Sequence, residues 1–169
     1  MISLGHVFEI PPEPYQTANT YFIEAGPIRI GLEHREIDNQ SLEESYADDE
    51  SHALALKELL DGYSISDQGV SLHVCASDDG HEYLRFDCFD DMPHYHYVHK
   101  VAAGEPPKNH VVLFDRAACG DMLEWAIDRI EGHLAAMLAQ AGAASLARNL
   151  DCAALARAAA QLRSIAIAN

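Results

Sequence analysis

GVSLHVCASDDGHEYLRFDCF, residues 69–89, is the stretch whose reading decides the fold. Val70, Leu72 and Val74 alternate with Ser71, His73 and Cys75; beyond Asp78-Asp79-Gly80, Leu84, Phe86 and Cys88 alternate with Tyr83, Arg85 and Asp87. Alternation with a period of two on both arms predicts a hairpin with one buried face. A three-residue loop with Gly80 in the left-handed conformation pairs Val74 with Leu84 and Leu72 with Phe86. A two-residue loop would set Val74 against Arg85, mixing the faces, and is rejected.

Moving outward, Asp90-Asp91-Met92-Pro93 reads as a turn into HYHYVHK, residues 94–100. A four-residue loop sets Phe86 opposite Tyr97, Cys88 opposite Tyr95, Asp87 opposite His96 and Phe89 opposite His94. Tyr95, Tyr97 and His99 then join the apolar face, while the other face carries His73, Cys75, Tyr83, Arg85, Asp87, His94 and His96. AAGEPPKN is a loop and HVVLFD (110–115) a last strand. On the N-terminal side, GHVFEI (5–10) is a strand and PPEPYQTAN a proline-bearing connector. TYFIEAGPIRIGLEHREI gives two short strands broken at Gly26-Pro27. The acidic SLEESYADDES leads into a short helix in ALALKELLDG, capped by Ser51 or Asp49 and ended at Gly62.

Residues 116–169 read as helical. Leu123, Ile127, Ile130, Leu134, Met137, Leu138 and Ala141 form one stripe, stopped at Gly142. Asp151 caps a final helix in which Leu155, Ala159, Leu162 and Ala166 face one way. The expectation is a single domain over 1–169 of class α+β. It has an antiparallel sheet of about five or six strands, with a short helix and two C-terminal helices packed on one side.

Charge narrows the partners. Eleven Lys and Arg against 27 Asp and Glu leave −16, which repels phosphate backbones and anionic lipid and so argues against nucleic acid and membrane surfaces. No stretch approaches the ~20 apolar residues of a membrane span. The start, MISLGHVFEIPPEP, lacks the basic and apolar regions of a signal peptide. The four cysteines (Cys75, Cys88, Cys119, Cys152) show no CxxC spacing, against a disulfide framework or a zinc ribbon. The expected compartment is the cytoplasm.

The chemistry lies on the polar side of the hairpins. His94 and His96, two apart on a strand, point the same way, and Asp87 opposite would complete a two-His, one-carboxylate set for zinc, iron or manganese. Alternatively Asp87 orients His96 as a general base while Arg85, with His73 and Tyr83, holds an anionic ligand. A carboxylate facing His96 would raise the pKa of that ring. The bland alternative is a half-wet strand in which Tyr buries its ring and His tolerates either environment. Cys75 beside His73 reads as a half-buried cysteine, and Trp125 as core packing or an interface anchor.

Three functions follow. One is a small acidic binding protein or accessory subunit whose His/Asp/Arg face holds a small molecule, a metal or a protein partner. The second is a metal-dependent or acid–base, hydrolase-like enzyme using Asp87, His94, His96 and Arg85. The third is a structural homodimer joined through the alanine-rich C-terminal helices.

RFD, then PHYHY, then Pro106-Pro107 and VVLFDRAACGDMLEWAIDRI resemble in order the small TumE-like toxins of bacterial toxin–antitoxin pairs. Those carry an Arg-Tyr-Asp strand, a His-x-His soon after it and an aromatic-bearing helix beyond. The resemblance spans about residues 84–130 and falls on Arg85, Asp87, His94 and His96. The alanine-rich C-terminal helix and the acidic segment near 43–50 depart from the family pattern.

Overall fold

Alternating side chains make a sheet with two unlike faces, and each face here is covered by its own helices. In the computed structural model, which describes residues 5–48, 50–59, 64–105 and 108–168, the described residues form one seven-stranded antiparallel sheet. The strands are β1 (His6–Phe8), β2 (Tyr21–Ala25), β3 (Ile28–Asp38), β4 (Ser66–Ala76), β5 (Glu82–Phe89), β6 (His94–His99) and β7 (Lys108–Leu113), in the order β1-β7-β6-β5-β4-β3-β2. The α+β class is as expected, but among the described residues the strands exceed the five or six anticipated and seven helices replace three. β3, expected to be short, runs 11 residues because it pairs with β4 along its whole length.

The first hairpin has the expected register: Leu72 pairs with Phe86, Val74 with Leu84 and His73 with Arg85. Gly80 takes φ 74°, the left-handed region that a side chain disfavours. Next to the turn a bulge between Val74 and Cys75 shifts the ladder, so that Cys75 pairs with Glu82. Tyr83 therefore packs against the apolar cluster instead of joining the polar face, and Glu82 joins the polar face in its place.

The second hairpin is displaced by two residues from expectation. Asp87 pairs with His94, Arg85 with His96, Phe86 with Tyr95 and Leu84 with Tyr97. The cause is not local. The Asp67 carboxylate on β4 accepts the backbone N–H groups of Asp91 (3.1 Å) and Met92 (2.8 Å). Arg116 also donates to the Phe89 and Asp90 carbonyls, both at 2.6 Å. These anchors hold the turn away from β6 and lengthen the loop. A two-residue shift preserves parity, so the same residues stay on each face.

On the apolar face, Ile30, Leu72, Val74, Leu84 and Phe86 pack against α4 (Met122–Gly132), α5 (Leu134–Gln140) and α7 (Cys152–Ala168). The stripe expected as one helix is broken at His133, whose carbonyl accepts from Ala136 and Met137. Gly142, φ 84°, ends α5, and Asp151 caps α7 by accepting from Ala154 N–H at 3.0 Å. α3 (Arg116–Cys119) and α6 (Ala144–Arg148) are short connectors. Trp125 is a core residue, its ring 5.3 Å from Tyr95, 6.1 Å from Phe86 and 5.1 Å from Phe114.

The opposite face is covered too, contrary to helices on one side only. α1 (Asn39–Ser45) forms within the acidic lead-in, closed by a capping box between Asp38 and Ser41, and α2 (Glu50–Leu59) follows it. Tyr46 and Leu56 from this segment bury against Phe8, Ile10 and Val111. Val111 pairs directly with His96, so this second cluster lies on the polar face of the sheet. The Asp49 cap and the Gly62 stop lie outside the described residues. No described helix is long and apolar enough to cross a membrane.

Candidate metal centre

The covering segment turns what was expected to be a wet face into a buried polar layer. Ser71, His73, Arg85, Asp87, His96 and Asn109 are all buried, with Glu33 and Arg35 beside them. A buried polar group costs stability unless it is paired, so the pairing of each group defines what remains for chemistry.

Half of the layer is neutralised internally. Arg85, 1% exposed, donates from Nε to Glu82 Oε1 at 2.9 Å and from Nη2 to Glu82 Oε2 at 2.7 Å. Glu82 also meets His73 Nδ1 at 2.6 Å, and Glu33 meets His73 Nε2 at 3.2 Å. Burial works against the Glu82 charge, but Arg85 and His73 outweigh it and bring its pKa down to about 2. Arg85 is thus bound to a carboxylate of its own chain, and His73 is enclosed. Of the three residues expected to hold a ligand, Arg85 and His73 come together on Glu82, whereas Tyr83 lies on the other face. Cys75 is fully buried, and burial pushes its thiol up to about 12, the state of an inert core cysteine.

Asp87, His94 and His96 form the other half. Asp87 Oδ2 lies 3.0 Å from His96 Nε2 and 3.4 Å from His94 Nε2, and the three atoms fall within 4.8 Å of one another. Pairing places His94 directly opposite Asp87, and His96 reaches it diagonally. Each group has a second partner. His94 Nδ1–H donates to the Met92 carbonyl at 2.6 Å, His96 Nδ1–H donates to Asn109 Oδ1 at 2.8 Å, and Ser71 Oγ–H donates to Asp87 Oδ1 at 2.5 Å. Phe89 closes one edge, its ring 5.8 Å from that of His94.

This bonding fixes the chemistry of the centre. With both Nδ1–H groups committed, neutral His94 and His96 turn only lone pairs toward an ionised Asp87. Burial disfavours the Asp87 charge, yet the bonds to His94 and His96 hold its pKa well below the ordinary carboxylate range. Burial lowers the His94 pKa, but Asp87 outweighs it and the net shift is upward; for His96 burial wins and the shift is downward. Around one shared carboxylate the two rings are thus pushed in opposite directions. In the neutral Nδ1–H tautomer, His96 Nε2 would meet Asp87 Oδ2 at 3.0 Å lone pair to lone pair, a repulsion that a cation between them would remove. A general base is the poorer use of His96, because both ring nitrogens are engaged inside the layer.

Ser71, Asn109, Glu82 and the Met92 carbonyl are the partners that sequence reasoning missed. Ser71 was visible through its parity with His73. Asn109 fell outside the expected strand 110–115, because β7 begins at Lys108. Glu82 reached the layer through the bulge.

Residues 22–166 match the sequence model of a family described as a domain of unknown function, DUF7700, and the chain belongs to that family. No curated protein and no solved structure matches it.

Proposed function

We propose that this member of the DUF7700 family binds a divalent metal ion through Asp87, His94 and His96. The observation that carries the proposal is the convergence of Asp87 Oδ2, His94 Nε2 and His96 Nε2 while the remaining atom of each group is held by Ser71, Met92 and Asn109. Metal-binding histidines ordinarily donate their other N–H to a carbonyl or carboxylate, which fixes the tautomer and the ring orientation. Two imidazoles and one carboxylate suit zinc, iron(II) or manganese.

Burial of Asp87 and His96 supports a binding protein or accessory subunit that retains its ion, ahead of a hydrolase-like enzyme that must admit a bulky substrate. Calorimetric titration of the metal-free protein with zinc, together with metal analysis of the protein as purified, tests the proposal. One ion per chain is expected, with zinc abolishing the NMR titration of His94. A protein that takes up no zinc, iron or manganese leaves the triad as a hydrogen-bonded core.

A further inference from the structure

Ser71 limits how Asp87 can bind an ion. Its hydroxyl donates to Oδ1 at 2.5 Å from a fully buried position, leaving Oδ2 as the carboxylate atom that faces His94 and His96. Met92 and Asn109 likewise leave one nitrogen on each ring. Each residue supplies a single donor atom, and among the described residues no further His, Cys, Asp or Glu joins the group. Ions of this class take at least four ligands; structural zinc sites fill all four from the protein, whereas three protein ligands leave a position for an exogenous one.

Resting on the metal reading above, we infer that the centre keeps one exchangeable coordination position, which takes a small anionic donor. The position opens beside His94, whose side chain is 15% exposed against 3% for Asp87 and 8% for His96. A divalent ion with one carboxylate retains positive charge, and Arg85 is already neutralised by Glu82, so the ion itself attracts the anion. The Phe89 ring lies 5.8 Å from that of His94, and the cluster of Phe8, Tyr46 and Val111 packs on the same face, surroundings that favour a small donor over a bulky one. Ser71 is then a positioning residue: without it, Oδ1 is free to chelate and compete for the open position.

Cobalt(II) replaces zinc in such sites and reports coordination through its visible absorption. The full chain loaded with cobalt and titrated with azide should show a saturable shift of the cobalt bands. In Ser71→Ala, checked for folding by circular dichroism, azide should bind roughly tenfold more weakly, the scale of effect for a group that orients a ligand. Bound cobalt whose spectrum ignores azide overturns the inference and leaves metal binding standing. Azide affinity unchanged in a folded Ser71→Ala overturns the role of Ser71. A chain that takes up no cobalt overturns both the inference and the metal reading beneath it.

Discussion

The two faces of the sheet are built from the same strands and do opposite work. Leu72, Val74, Leu84 and Phe86 face α4, α5 and α7 in a large apolar cluster, where burial is non-directional and every contact stabilises. One residue along, Ser71, His73, Arg85 and Asp87 lie on the face that carries a much smaller cluster of Phe8, Ile10, Tyr46, Leu56 and Val111. There each buried group gains only by meeting a partner at the right distance and angle. The apolar face therefore carries stability and tolerates small shifts, whereas the polar face carries geometry and tolerates few.

The most complete effect, outright loss of a ligand response, should come from removing a donor atom on the polar face. Zinc at 100 times its dissociation constant should raise wild-type stability by about 2.7 kcal/mol. In Asp87→Asn or His96→Ala no zinc-dependent rise in melting temperature is expected. A rise in either variant would place the ion elsewhere.

Next comes Glu82→Gln, which strands the buried Arg85 charge and should cost roughly 3–5 kcal/mol at neutral pH, measured by urea denaturation. Its pH dependence has a definite sign. Glu82 is held at about 2 against a usual 4.5, so its contribution is full above 4.5 and fades as pH falls toward 2. The difference between wild type and variant should narrow over that window. A constant difference would mean that the cost is packing, as on the other face.

On the apolar face, Ile127→Ala should cost about 2–5 kcal/mol with zinc affinity unchanged, since Ile127 is fully buried and on the far side of the sheet from the triad. Coupled loss of metal binding would show that the faces are not independent. The smallest effect is Gly80→Ala in the turn shared by both faces, about 1–2 kcal/mol for a side chain at φ 74°. A neutral result would show that the turn relaxes.

Away from the bulge, the sequence by itself determined which residues share a face, because strand parity is a local property that survives a two-residue error of register. Val74 against Leu84, the left-handed Gly80, and Asp87 with His94 and His96 on one side all follow from alternation and turn length. It also showed the apolar stripe through Ile127 and Ile130. Tertiary structure decided the rest through contacts distant in the chain. Asp67, 25 residues before Met92, sets the second turn and so makes His94 the direct partner of Asp87. A bulge exchanges Tyr83 for Glu82, which then takes up Arg85. α1 and α2 cover a face whose polarity looked like exposure, because polarity along a strand records which groups can be paired there, and their burial depends on what packs above them.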